Sequence, residues 1–477
     1  MAIRDLFQSE LAVVNVGLES FHETLKGCGV ASVQVDWRPP VAMDAGTLAS
    51  VAAHAAEIDG ANQRAMEAIL AGRPCLVGMG RAIDTIPGMR RNLILHAGPP
   101  IEWARMCGPM RGGVIGALLL EGLAANAGEA EALAGSGLIE YEPCHEHGAV
   151  GPMAGIVSPS MPVFIVRNES FGNCAYATMN EGLGKVLRYG AYGDEITRRL
   201  RWMEAVLYPA LRAAIEKLGP IDLKSLIAQA LHMGDELHNR NRAATSLLFR
   251  ALAPAVIRTA PDAETAAAAL EFIHRNDHFF LNLSMAASKA ILDAARGIDG
   301  SSLVVAMARN GADFGVQLAG AGSRWFTGPA PVPDALYFAG YSREDANPDI
   351  GDSAITETCG LGGFAIAASP AIVQFVGGAA SDALRYTRRM YEITAGQNPA
   401  WQVPALDFRG VPTGIDVRKV IERNLFPVID TGVAHRLAGI GQVGAGILSA
   451  PSKPFQDALS GLAEALAKST VGNQEKA

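Results

Sequence analysis

This chain has no cluster of basic residues, no closely spaced cysteine pair and no clean membrane-spanning apolar run. Forty Lys and Arg stand against 48 Asp and Glu, a net charge of −8. With no Lys/Arg-rich tract, that balance argues against nucleic acid as the main partner. The six cysteines (Cys28, Cys75, Cys107, Cys144, Cys174, Cys359) are scattered singly, a pattern that suits reduced thiols rather than a disulfide framework. Two uncharged stretches, Gly148 to Val166 and Thr358 to Ser381, reach the ~18 residues a membrane helix needs, but Pro, Gly and Ser interrupt both. The opening Met-Ala-Ile-Arg-Asp-Leu-Phe-Gln-Ser-Glu lacks the basic and apolar regions of a signal peptide. A soluble cytoplasmic protein is expected. The G-x-S-x-G elbow is missing, as is the Lys-Ser/Thr of a Walker loop, which disfavours those hydrolases and nucleotide sites.

What the chain has in quantity is glycine, 52 residues in 477. Many fall in motifs between apolar segments, among them Gly151-Pro152-Met153-Ala154-Gly155, Gly360-Leu361-Gly362-Gly363 and Gly439-Ile440-Gly441-Gln442-Val443-Gly444-Ala445-Gly446. Tight loops that present backbone amides are expected there. The last of them, after Thr431-Gly432-Val433-Ala434-His435, would suit a phosphate or carboxylate.

A chain of this length exceeds one hydrophobic core. Leu11 to Val16 reads as a buried parallel strand, Ser20 to Cys28 as a helix, and Ala31 to Val35 as a second strand ending in Asp36. Strand, glycine turn, helix, strand and acid open a Rossmann-like unit, although Gly17 alone falls short of a dinucleotide fingerprint. Further strands near 74–79 and 93–97 alternate with helices and favour a parallel sheet. The fold expected is an α/β and α+β multidomain chain. It comprises a Rossmann-like N-terminal domain (1–105), an α+β domain (106–193), a helical insert (194–298) and a mixed α+β second half (299–477). In that last part Asn310-Gly311 is a strong hairpin signal, and Val471 to Ala477 reads as a frayed tail.

Chemistry concentrates in a few polar blocks. The densest is His232-Met233-Gly234-Asp235-Glu236-Leu237-His238-Asn239-Arg240-Asn241. Groups this polar cost several kcal/mol each to bury unpaired, so they must be solvated, mutually bonded or gathered around a ligand. If helical, the block puts Asp235 beside His238, where it could orient a general acid or base. His145-Glu146-His147, if extended, would share a face and with His232 and His238 could build a zinc or manganese site. The spacing departs from the helical zinc signature, a polar loop is favoured, and no metal is assigned. Asp277 could cap the following helix. Arg309 in a hairpin could clamp an anion. Asp352-Ser353 reads as a helix start, with Thr356, Glu357 and Thr358 following.

Together these blocks resemble one family, the YlbE/AllG-type proteins. The resemblance is carried by Val14 to Glu19 with Val35 to Pro40, Leu95 to Ile101, His145 to Met153, Asn180 to Arg188, His232 to Asn241, Asn276 to Asn282, Asp349 to Thr358 and Pro412 to Asp416. It implies a subunit of an oxamate carbamoyltransferase, which converts oxalurate and phosphate to oxamate and carbamoyl phosphate. It also implies an FdrA-like partner subunit and a small third subunit, while the isolated chain is expected to form a homo-oligomer. No cofactor is named. Phosphorolysis of a ureido carbonyl needs donors for phosphate and carboxylate, a polarised carbonyl and a proton for the leaving nitrogen. The residues expected to serve are His238, Asp235 and His145 for proton transfer, and Lys185, Arg240, Asn241, Arg309, Asn310 and Gln442 for binding. Their expected meeting place is the junction of the helical insert with the second half. A scaffold subunit binding a nucleotide or acyl-CoA, or a metal-dependent amidohydrolase, are the competing readings.

Overall fold

The computed structural model describes residues 11–35 and 37–474, with Phe375 and residues 469–474 described in backbone only. Asp36, the opening decapeptide and the last three residues lie outside the described residues. The chain mixes α-helices with several small sheets. No helix is long and apolar enough to cross a membrane.

The first expected unit forms locally. Ala12–Val16 and Ala31–Val35 pair in parallel around the helix Glu19–Gly27, with Gly17 at φ 131°. The sheet ends there among the described residues. Pro74–Arg81, expected to extend it, instead lies antiparallel between Pro162–Asn168 and Ile221–Asp222, while Leu93–His96 pairs with Glu140–Pro143. The single parallel layer expected over residues 1–105 is therefore not formed. The physical reason is cover: parallel sheets need both faces buried, yet Val14, Val16 and Val33 are 56–67% exposed. Pro74–Arg81 finds cover elsewhere.

That cover is the helix Leu281–Leu292, all twelve of whose residues are buried. A helix buried on every side belongs at the centre of a large core. It packs against the antiparallel sheet of Pro74–Arg81, Pro162–Asn168 and Cys174–Thr178 on one side and the short helix Ile355–Thr358 on another. Around it the segment 194–298 adds Asp194–Trp202, Tyr208–Leu218, Leu223–His232, Arg242–Thr259 and Ala263–His274.

The second half supplies three further sheets. Val304–Asn310 and Asp313–Leu318 form the expected hairpin over Asn310-Gly311 and continue to Phe326–Pro329 and Ile350–Gly351. Val428–Ala434 pairs with Gln442–Ser449, which in turn pairs with Asp334–Tyr337. From Gln442 on, the glycine-rich 439–446 tract thus becomes strand rather than an amide cradle. A Cβ on Gly446 would lie 2.0 Å from the Asp334 carbonyl oxygen, so glycine here permits close strand pairing, and the amides of Gly444 and Gly446 belong to the ladder. The terminal helix Ser452–Gln474 runs through Val471, which the sequence suggested was frayed.

Candidate functional site

The densest polar block does not continue its helix. Leu223–His232 stops, Gly234 takes φ 94°, and Leu237 adopts φ 73°. A left-handed leucine costs on the order of 1–2 kcal/mol and persists only where its surroundings hold it. Here Leu237 donates its amide to the Arg240 carbonyl at 3.1 Å, and its own carbonyl accepts from Ser284 Oγ at 2.8 Å. The Glu236 carboxylate accepts from the amides of His238 (2.7 Å) and Arg240. This knot replaces the helical spacing expected for Asp235 and His238.

Its effect is to aim His238 at carboxylates from the second half. His238 Nδ1 lies 2.8 Å from Glu357 Oε1 and 3.2 Å from Asp430 Oδ1. Glu357 sits on the helical turn Ile355–Thr358, and its carboxylate also accepts from Thr356 Oγ1 (2.9 Å) and the Gly363 amide (3.0 Å). Asp430 comes from the strand Val428–Ala434; neither of its oxygens accepts a well-directed hydrogen bond. Glu236, Glu357 and Asp430 have no exposed surface. Burial opposes the charge on His238, but Glu357 and Asp430 outweigh it and push its pKa up to about 10. Burial holds Glu236 well above, and Asp430 above, the usual carboxylate range; His238 brings Glu357 below it despite burial. The centre is a buried imidazolium ringed by acids.

Two neighbouring arrangements share the same elements. Asp349, ahead of Glu357, receives Arg309 through Nε (2.6 Å) and Nη2 (3.1 Å), and Thr431, adjacent to Asp430, donates to Asp349 at 3.0 Å. Arg309 also donates to the Gly351 carbonyl and Thr431 Oγ1. With four of its donations spent inside a wholly buried pair, Arg309 supports the fold and is not a free anion clamp, as the sequence had suggested. Asp352 accepts from the amides of Gly98 (2.8 Å) and Gly151 (3.0 Å), and His145 Nε2 lies 3.5 Å away. Burial, then the Lys289 and Arg296 charges, drive His145 well below its usual pKa. Burial pushes Asp352 up to about 7 against those two amide bonds.

The remaining expected residues are dispersed. Asp235 accepts from the Ala244 amide at 2.8 Å, at the start of Arg242–Thr259, and lies 3.5 Å from Arg240; it does not touch His238. Asn241 binds the His238 carbonyl at 2.7 Å and so fixes the loop. Asn310 closes its own hairpin by accepting from Ala312 and Asp313. Gln442 bonds the Gly444 carbonyl within its own strand, and Lys185 is exposed. His145 and His147 lie in a 3-10 turn, not a strand, and part company: His147 bonds Glu142 and the Pro87 carbonyl. His232 is exposed against Phe408. Asp277 caps no helix; Asn276 instead accepts from the His278 amide at 3.1 Å.

One cleft, of about 600 Å³ including open solvent, adjoins this region. Apolar residues such as Ile156, Met161 and Met203 line it, with Ser160, Thr178, Glu181, Arg188, Glu204 and Asn282 as its polar groups. Arg188 is 7% exposed and donates from Nε and Nη2 to the Gly182 carbonyl. His278, buried near both, feels the charges of Arg188 and His238; burial, then those cations, lower it to about 3. Sequence reasoning passed over Arg188, Glu236, Glu357 and Asp430 as site residues. All but Asp430 lie within blocks already singled out, whereas Asp430 had no local signal beyond ending an apolar strand.

The family model described as oxamate carbamoyltransferase subunit AllG matches residues 139–353, a span containing His145, Arg188, His238 and Arg309. The chain is 46% identical over 409 residues to the oxamate carbamoyltransferase subunit AllG of Escherichia coli (strain K12), covering 85% of this chain and 98% of that protein. The chain belongs to the AllG family. Within it, this AllG-family chain is also 47% identical over 469 residues to the uncharacterized protein YahG of the same organism, covering 97% of this chain and 99% of that one. A crystal structure of a conserved protein of unknown function from Enterococcus faecalis V583 matches the AllG-family fold here with TM-score 0.85 at 48% identity, over 86% of this chain and 98% of that chain.

Proposed function

We propose that this chain is a subunit of an oxamate carbamoyltransferase-type enzyme, which converts oxalurate and phosphate to oxamate and carbamoyl phosphate in the breakdown of allantoin nitrogen. It works with an FdrA-like subunit and a small third subunit. The observation that carries the reading is 46% identity to a protein of that name across 98% of its length.

In this reading the cleft beside Arg188 receives the substrate. An arginine this buried suits the carboxylate or phosphate of the reactants, since a charge-assisted bond in a water-poor site is strong and directional. Glu181, which accepts from the Leu187 and Arg188 amides, fixes the arginine's backbone. In the same reading the His238 centre polarises the ureido carbonyl as phosphate attacks. His145 and Asp235, which do not line this cleft, have no proton-transfer role in this reading.

The test is carbamoylation of oxamate from carbamoyl phosphate, first by the chain alone and then with its partner subunits. Transfer is expected from the mixture, and Arg188→Ala is expected to lower it about 100-fold or more, the usual effect of removing one preorganised donor. Undiminished transfer by a folded Arg188→Ala complex removes this cleft from the reaction. A folded, associated complex with no transfer at all rejects the substrate assignment.

A further inference from the structure

The His238 centre gathers more carboxylates than one imidazole can pair. Three carboxylates, Glu236, Glu357 and Asp430, are wholly buried around a single imidazole. The arginines nearest in sequence turn elsewhere, Arg240 to Asp235 and Arg242 to Asp277. Arg309 is spent on Asp349. Glu357 and Asp430 both face His238 Nδ1, at 2.8 and 3.2 Å, and two adjacent buried carboxylates ionise together only with a positive charge between them.

We infer that His238 Nδ1, a Glu357 oxygen and an Asp430 oxygen form a binding site for one divalent transition cation, Zn²⁺ or Mn²⁺. The three ligand atoms lie within 4.8 Å of one another. His238 Nδ1 stands 2.8 Å from Glu357 and 3.2 Å from Asp430. Two ligands each ~2.1 Å from a shared ion, at tetrahedral or octahedral angles, stand ~3.0–3.4 Å apart. The spacing therefore suits a cation after small shifts. Asp430 is the second sign of a missing ligand: it is fully buried, and although His238 Nδ1 stands 3.2 Å away, neither oxygen accepts a well-directed hydrogen bond. Such an atom ordinarily has an explanation in an ion or a water.

The outer layer is that of a metal site. The Glu357 carboxylate is oriented by Thr356 Oγ1 and the Gly363 amide, the His238 backbone is held by Glu236 at its amide and Asn241 at its carbonyl, and Leu237 is kept in a strained conformation beside it. Partners of this kind fix ligand orientation and tune affinity. One nitrogen and two carboxylate oxygens suit Zn²⁺ or Mn²⁺ and not a soft ion. Three protein ligands leave at least one position open. On binding, the cation takes the place of the Nδ1 proton, which leaves to solvent. Two carboxylate charges and a neutral imidazole then balance a 2+ ion.

The test uses the untagged full-length chain, stripped with chelator and then titrated with Zn²⁺ or Mn²⁺. Bound metal is counted by mass spectrometry of the gel-filtered protein, and unfolding temperature is followed alongside. About one tightly held cation per chain and a raised unfolding temperature are expected. Asp430→Asn and Glu357→Gln should each weaken binding at least as much as loss of an outer partner does, roughly 10–100-fold. His147→Gln, a histidine engaged by Glu142, should leave binding unchanged. Absence of a stoichiometric cation in the wild-type chain overturns the inference, as does full binding by a folded Asp430→Asn variant. Should both ligand variants fail to fold, pulsed electron paramagnetic resonance of Mn²⁺ on wild-type chain with ¹⁵N-labelled histidine decides: coupling to one histidine nitrogen is expected, and no coupling overturns the site. The outcome is separable from the transfer reaction. A complex that transfers yet takes up no stoichiometric cation would sink this site and leave the proposed function standing, whereas a bound cation in a complex without any transfer does the reverse.

Discussion

His238 and His145 are both buried histidines near a carboxylate, yet they are driven in opposite directions. His238 has two carboxylates on one nitrogen and is pushed up to about 10. His145 meets only Asp352, at 3.5 Å, and Lys289 and Arg296 add repulsion to its burial. Neither ring nitrogen of His145 has a hydrogen-bond partner, and its ring sits edge-on to Trp325 at 5.5 Å. The lesson is that burial alone never fixes the charge of a histidine. Near His238 the opposing acids outweigh desolvation, and near His145 nothing does. One is a candidate for charge chemistry, the other a neutral packing group.

The largest effect is expected at the pair that holds both regions in place. Arg309→Met leaves Asp349 buried without its partner and should destabilise the chain by about 3–5 kcal/mol, measured as a lowered denaturant midpoint at unchanged slope. Both histidine sites should loosen with it, since Asp349 precedes Asp352 and Glu357 and is tied to Thr431. A loss under ~1 kcal/mol would mean that the pair is not the shared support.

Next comes the alkaline limb. The folded pKa of His238 is raised from 6.5 to about 10, so its stabilising contribution is complete below pH 6.5 and is lost as pH climbs towards 10. The slope is about 1.4 kcal/mol per pH unit at most. In chelator-treated, cation-free chain, His238→Gln should flatten this decline in stability measured from pH 7 to 10. An unchanged slope would show that His238 is neutral and remove the contrast.

The acid side should behave differently. His145 is depressed, so by itself it makes stability fall as pH drops below 6.5. Asp352 is raised from 3.8 to about 7, and its contribution is present below pH 3.8 and lost as pH rises through 7. The two slopes oppose each other between about pH 4 and 6.5. Asp352→Asn should unmask the His145 limb, so that stability rises more steeply with pH than in the wild type, by up to about 1.4 kcal/mol per unit. Identical slopes in urea titrations across that range would show that the pair does not compensate. The smallest effect is expected at Lys185, whose side chain is exposed. Lys185→Ala should shift the unfolding free energy by less than about 0.5 kcal/mol, and a larger loss would reveal a contact that this exposed position does not suggest.

Local pattern made much of the scaffold legible. The βαβ start, the Asn310-Gly311 hairpin and the helices of 194–298 follow from periodicity and turn residues read over a dozen positions. The candidate site was half legible. Polar density marked His232 to Asn241 and Asp349 to Thr358, because so many polar groups cannot be buried without partners. Which groups pair was hidden: the partner of His238 is 119 residues away, and Asp430 looks like any acid ending an apolar strand. Asp235 was a reasonable sequence partner only if the block stayed helical, and Gly234 and Leu237 ended that.

What the sequence determined by itself is the set of local elements, the concentration of charge in a few blocks and the membership of the AllG family, because each is written in neighbouring residues. Only the tertiary structure decided that Pro74–Arg81 abandons the N-terminal strands for an antiparallel sheet under a fully buried helix. It likewise decided that Arg309 is a strut, and that His238, Glu357 and Asp430 meet at one buried centre. Burial, pairing and pKa depend on what lies across space, and residues far apart along a chain are brought together only by packing of the whole.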